Sequence, residues 1–201
     1  MDKLKTITNR YEGVEGFNRS LRDALNNPAP AVQDGLWHMI TDLEKRNIAK
    51  TKIKTFDLEF DGDDLPCINC RFDVELITQN TDELKFIEYK SYKNAENISK
   101  KQFLNYIAKI DDIKQLQYVF NKNKLSLNEA KNGIKKFFNK YDEDIFEVLW
   151  DNEKLRNSLF DVSNYPKNIS VDKLKEIIKS DYNKTIKNAD SQIFSFVKVE
   201  K

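Results

Sequence analysis

Residues Arg71 to Tyr92 read RFDVELIT, then a polar QNTDE, then LKFIEYKSY. Two runs of alternating polarity around a short polar turn predict a hairpin of antiparallel strands, which commits the chain to a sheet. Successive side chains of a strand point to opposite faces. Asp73 and Glu75 therefore share one face of the first strand, with Phe72, Val74 and Leu76 on the other. Phe86, Glu88 and Lys90 share a face of the second, with Ile87 and Tyr89 opposite. Two acids and a lysine converging on adjacent strands carry a desolvation cost that a purely structural sheet has no reason to bear. The hairpin is the expected active site.

The rest of the sequence bounds what surrounds it. A chain of 201 residues with 13 Phe and 8 Tyr can build one packed domain with a helical appendage. No apolar run approaches the length of a membrane span, and MDKLKTITNR lacks the apolar core of a signal peptide, so a soluble protein without a membrane segment is expected. The net charge is only +1, but it is unevenly spread. Residues 1–83 carry eleven basic and sixteen acidic side chains, residues 84–140 thirteen and five, and residues 141–201 ten and twelve. The basic excess follows the acidic hairpin directly. That is the distribution expected of a surface that holds phosphates beside a carboxylate site, although a lysine-rich solvated helix face produces it too.

Periodicity places the other elements. Phe17, Leu21 and Leu25 predict a short helix over about 15–26, and Asn27-Pro28-Ala29-Pro30 breaks it. Val32, Leu36, Met39, Ile40 and Leu43 predict an amphipathic helix over 31–45, with Asp34 and His38 on a separate, more polar face. KIKTFDLEF (52–60) predicts a strand. After the hairpin, Ser99 caps a helix carrying Phe103, Leu104, Ile107 and Ile110, and a second helix is expected over Ile113–Phe120. Further helices are expected over 126–140, 142–161 and 171–181, the last capped by Ser170. QIFSFVKVE (192–200) alternates as a strand able to return to the sheet edge. The expected architecture is α/β: a central mixed sheet flanked by helices, with additional C-terminal helices. Its parts are an N-terminal arm (1–30), a core (31–121) and a helical C-terminal extension ending in a strand (122–201).

Several other motifs carry less. Cys67-Ile-Asn-Cys70 has no second pair, and His38 is the only histidine, so a structural zinc site lacks ligands. DGDDLP lacks the downstream glycine and glutamate of a calcium loop. The hairpin is different. Paired carboxylates one strand spacing apart can hold a hard divalent cation, Mg²⁺ or Mn²⁺, and leave room for a phosphate oxygen. Lys90, on the face of Glu88, can orient or deprotonate a water and offset phosphate charge. A cross-strand ion pair is the plain alternative.

The residues Gly35-Leu-Trp37, Cys70-Arg-Phe-Asp73-Val and Ile87-Glu88-Tyr-Lys90-Ser91, followed by FLNYIAKIDDIKQLQYVFN, resemble the PD-(D/E)xK, or restriction-endonuclease-like, nuclease superfamily. The similarity is strongest to the C-terminal nuclease toxin domains of bacterial polymorphic toxin systems, and it spans about residues 31–121. It implies a restriction-endonuclease-like core, Asp73 and Glu88 as metal ligands and Lys90 as the catalytic lysine. It also implies Mg²⁺-dependent cleavage of nucleic acid, with DNA the favoured substrate and RNA the alternative, in a toxin delivered to a target cell and matched by an immunity protein. Phe72 stands where the family name places proline. An acid on the first core helix falls to Asp34, Asp42 or Glu44 without a choice between them. Glu75 and Gln115, the latter three residues before Tyr118, are auxiliary candidates. A non-catalytic binding module, such as a toxin inhibitor or a degenerate nuclease fold, is the competing reading.

Overall fold

The computed structural model describes residues 2–59, 71–77, 84–161, 163, 165–166 and 168–200. The expected hairpin turn and the Cys67/Cys70 pair lie outside the described residues. Eight helices and five strands are described: α1 (Asp2–Tyr11), α2 (Phe17–Asn26), α3 (Pro30–Arg46), β1 (Ile53–Glu59), β2 (Arg71–Ile77), β3 (Leu84–Lys90), α4 (Lys100–Lys109), β4 (Leu116–Asn121), α5 (Leu127–Lys140), α6 (Asp142–Asp151), α7 (Glu153–Leu159), α8 (Val171–Thr185) and β5 (Val197–Glu200). The fold is α/β, a five-stranded mixed sheet in the order β1-β2-β3-β4-β5 with helices on both faces. β1, β2 and β3 are antiparallel, whereas β3–β4 and β4–β5 are parallel. Each parallel step needs a crossover. α4 supplies the first, and the α5–α8 segment supplies the second.

Alternation along β3 divides the core in two. Ile87 and Tyr89 pack with Phe56, Val74 and Val119 against α1–α3. Phe86 lies with Tyr118 and Phe120 against α4–α8. The helices of residues 1–30 belong to the first layer: Tyr11, Phe17 and Phe56 form a ring cluster with centroids 5.0–6.0 Å apart. The backbone N–H of Phe56 also donates to the Glu15 carbonyl, so the α1–α2 connection runs along the outer edge of β1.

The local chemistry explains most boundaries. Pro30 opens α3, where its missing N–H costs nothing. Ser99, Ser126 and Ser170 each accept a backbone N–H at the start of α4, α5 and α8, and Ser126 with Glu129 completes a capping box. Three expectations are corrected. Residues 113–120 are not a helix: a 3-10 turn over Ile113–Gln115 leads into β4, whose Leu116, Tyr118, Val119 and Phe120 are buried on both faces. A short run buried on both sides has no clean period, so helix and central strand look alike in it. Residues 142–161 form two helices, because the Asn152 side chain caps α7 and also donates to the Ile107 and Ile110 carbonyls. The last strand is shorter than expected, since residues 192–194 form a 3-10 turn before β5.

Candidate active site

β3 is a central strand held on both sides, and it places Glu88 and Lys90 where the β2–β3 ladder ends. The register pairs Glu75 with Phe86 and Val74 with Ile87, which sets Asp73 across from Glu88. Among the described residues, the β2–β3 pairing stops at Val74–Ile87, whereas β2 stays paired with β1 to Arg71. At this opening the Asp73 carboxylate takes over from a backbone carbonyl: its Oδ2 accepts the Tyr89 N–H at 2.6 Å. Asp73 is half-buried, in the gap between the two strands.

Glu88 and Lys90 project toward α4 and are both buried, at 3% and 6% exposure. Lys90 Nζ donates to Glu88 Oε1 at 2.6 Å and to Gln102 Oε1 at 3.0 Å. Gln102 Nε2 donates to Glu88 Oε1 at 2.9 Å and to the Tyr106 hydroxyl at 2.6 Å. Tyr106 completes the circuit by donating to Glu88 Oε2 at 3.1 Å. The rings of Tyr92 and Tyr118 flank the ammonium at 5.7 and 5.6 Å. A buried ion pair is tolerable only when its remaining donors and acceptors are satisfied, and this circuit does that.

Protonation follows from the same contacts. Burial works to lower the Lys90 pKa, but the Glu88 carboxylate, with Tyr92 and Asp73 behind it, outweighs burial and holds the ammonium charged. Burial, reinforced by Glu88, drives the Tyr106 and Tyr118 hydroxyls well above the ordinary phenol value, so both stay protonated. The Tyr118 hydroxyl is buried without a hydrogen-bond partner among the described residues.

Tyr89, the residue between Glu88 and Lys90, ties the site to the opposite layer. Its hydroxyl donates to Asp42 Oδ2 at 2.8 Å, and Asp42 is fully buried in α3. Arg46 Nε pairs with that oxygen at 2.8 Å, and Arg46 Nη1 donates to Gln117 Oε1 of β4 at 3.2 Å. Of the three acids open in the sequence, Asp42 thus braces β3 from behind. Asp34 pairs with Lys124, which also donates to the Ser91 carbonyl, and Glu44 pairs with Lys3 on the surface. His38 is buried with its ring edge-on to Tyr89 at 5.4 Å, not on a polar face as its position suggested.

The remaining candidates are placed elsewhere. Glu75 is buried, with Oε1 on Lys54 at 3.2 Å and Oε2 without a partner among the described residues. Gln115 does not join the circuit: its side chain accepts the Asp111 and Asp112 N–H groups and caps the turn before β4. The glutamine at the site is Gln102, with Tyr106 one turn further along α4. The spacing i, i+4 on a helix following the acid-x-lysine strand is the signal that would have found both.

Beside Asp73, on the other side of the sheet, a cavity of about 250 Å³ opens between α2 and α3. Asp73 and Tyr89 are among the residues that line it.

The donor set suits a hard divalent cation. Asp73 and Glu88 offer carboxylate oxygens from adjacent strands, and the Lys90 ammonium already supplies positive charge at Glu88. Among the described residues no group of three or more His, Cys, Asp or Glu could hold a metal. Two carboxylates are nonetheless the usual protein share for Mg²⁺, which takes its other ligands from water and substrate phosphate. Among the described residues no helix is long and apolar enough to cross a membrane. No family model matches the chain, and no curated protein or solved structure does either.

Proposed function

We propose that the protein is a Mg²⁺-dependent nuclease of the restriction-endonuclease-like kind, cutting phosphodiester bonds of DNA at Asp73, Glu88 and Lys90. The observation that carries this reading is the opening of the β2–β3 ladder at Asp73 and Glu88, with Lys90 bonded to Glu88 at that point. A bound Mg²⁺ would polarise the phosphoryl group and favour ionisation of a water. Asp73 and Glu88 would hold it. Lys90, kept charged, offsets the growing charge on the phosphate and positions the attacking water through its N–H donors. Gln102 and Tyr106 fix the Glu88 carboxylate, so that its oxygens do not wander as the substrate arrives. The basic run of residues 84–140 supplies phosphate attraction.

The test is cleavage of plasmid DNA with and without Mg²⁺. Wild type is expected to cut only with the metal, and Glu88→Gln and Lys90→Met to lose at least a hundredfold in rate while keeping native circular dichroism. Undiminished cutting by both variants removes these residues from the mechanism. A toxin role and an immunity partner rest on the sequence resemblance. Their test is expression in bacteria, where wild type should arrest growth and Lys90→Met should not.

A second reading has its own observation: both Glu88 oxygens are already hydrogen-bonded, as a purely structural ion pair would require. In that case the fold binds nucleic acid without cutting it, and calorimetric titration with Mg²⁺ gives no heat at a site that Asp73→Asn abolishes.

A further inference from the structure

Resting on the nuclease reading, we propose that the cavity between α2 and α3 is a base pocket. It takes one unstacked nucleobase bearing an exocyclic amine, from the nucleotide next to the phosphate at Asp73.

Position is the first reason. Asp73 and Tyr89 are among its lining residues, so a group seated there touches one of the two carboxylates proposed to hold the metal. Size is the second. At about 250 Å³ it falls below the ~300 Å³ at which sites for drug-sized ligands begin, so it suits one planar ring system and not a whole nucleotide. The walls are the third. Ala24, Val32, Leu36 and Met39 present apolar surface suited to a ring face. Gly35 lies between them in α3, and a Cβ added there would meet nothing within 4 Å. The side of the helix facing the cavity is open.

The polar groups give the chemistry. Ser20 lines the cavity, and its Oγ is buried without a hydrogen-bond partner among the described residues, a cost that an arriving ligand group would remove. Asp23, more than half exposed and paired with Arg22 at 3.4 Å, also lines the cavity, and its carboxylate only accepts hydrogen bonds. The Ser20 hydroxyl can accept or donate, so the choice of base falls to Asp23, whose carboxylate matches the amines of cytosine, adenine and guanine, whereas thymine carries oxygen and methyl groups in their place. A base inside a duplex cannot reach such a cavity, so the substrate is single-stranded or has its base flipped out. The wall formed by α2 belongs to residues 1–30, which gives that segment a part in recognition.

The experiment uses the full chain with Mg²⁺ and single-stranded oligo-dT carrying one central dC, dA or dT. Wild type should cut beside dC and dA about tenfold faster than beside dT, the discrimination of one good hydrogen-bonded pair. Gly35→Leu fills the cavity and should abolish that preference while melting at or above the wild-type temperature. Asp23→Ala should do the same if the leucine variant does not fold. In a Glu88→Gln background, an oligonucleotide with a central 2-aminopurine should brighten on binding, and Gly35→Leu should bind it without brightening. Cleavage with equal rates at all three bases, or a preference untouched by Gly35→Leu and Asp23→Ala, overturns the pocket and leaves the nuclease standing. No cleavage and no binding overturns both.

Discussion

β3 serves two layers that solve the same problem in opposite ways. Toward α4 it presents Glu88 and Lys90, which are buried and closed into a circuit with Gln102 and Tyr106. On that side Phe103 packs edge to face with Phe137 and Phe138, and Tyr118 with Phe196. Toward α3 it presents Tyr89, whose hydroxyl is held by a single buried carboxylate beside an open cavity. The α4 side fixes two charges; the α3 side supplies one brace and keeps space. A strand that must place reactive groups without letting them shift benefits from both, because the circuit holds the side chains and the brace holds the backbone between them. Asp73, at the edge of both layers, connects the two.

The comparison breaks first on the α4 side. Glu88→Gln or Lys90→Met alone leaves one buried charge unpaired, and each should cost about 3–5 kcal/mol of stability. The double variant should cost less than the sum, because no lone charge remains. Urea unfolding of the three proteins gives the coupling directly. If the double loss equals the sum, the circuit is a row of independent contacts.

On the α3 side the expected losses are smaller. Asp42→Asn weakens the pairing with Arg46 and the Tyr89 bond together, at about 1–3 kcal/mol. Tyr89→Phe removes one hydroxyl and should cost about 1 kcal/mol, less the relief of whatever burial the hydroxyl suffers. The sharper reading is metal affinity: if Tyr89 holds the backbone at Asp73, both variants should weaken Mg²⁺ binding more than their loss of stability would suggest. Unchanged binding would make the brace structural only.

The two layers also differ in what the sequence could reveal. The hairpin was legible because alternation in two short strands needs no partner information, and the register follows once Val74 and Ile87 must both face inward. Ser99, Ser126 and Ser170 were legible as caps because the signal is local. β4 was not, since burial on both faces erases its period. A helical period over 113–120 draws attention to Gln115 beside Tyr118 and away from Gln102, but the 3-10 turn and strand there leave Gln115 and Tyr118 no shared helical face. Asp42 could not be separated from Asp34 and Glu44 by pattern, as all three lie on one helix and only the third dimension shows which faces Tyr89. The same holds for His38: its polar neighbour on the helix carries no information about Tyr89 of the strand beneath it.

His38 offers a pH-dependent way to probe the brace. Burial lowers its pKa below the ordinary 6.5, against a smaller upward pull from Asp42 and the Glu200 backbone, with Arg46 and Lys124 adding to the lowering. The unfolded chain therefore binds a proton that the folded one refuses. Stability should be full above pH 6.5 and fall as the pH drops from there, levelling out once the folded-state value is passed. The slope is at most one proton, or about 1.4 kcal/mol per pH unit. His38→Phe should flatten that stretch of the stability curve. A wild-type curve equally flat would mean that His38 titrates normally.

Two glycines test the difference in packing with the smallest change available, one added methyl. At Gly133 in α5, a Cβ would lie 2.8 Å from the Ala95 Cβ and 3.1 Å from two backbone nitrogens. Nothing there can move cheaply, so overpacking should exceed the helix-propensity gain and leave Gly133→Ala about 1 kcal/mol less stable. At Gly35 the same methyl meets open space, and Gly35→Ala should be more stable by about 0.5–1 kcal/mol through the backbone entropy lost by the unfolded chain. Opposite signs from one substitution in two helices, read as shifts of the thermal midpoint, would mean that the α3 side keeps room that folding alone does not require. If Gly35→Ala is stabler but cuts DNA more slowly, that room is there for the substrate.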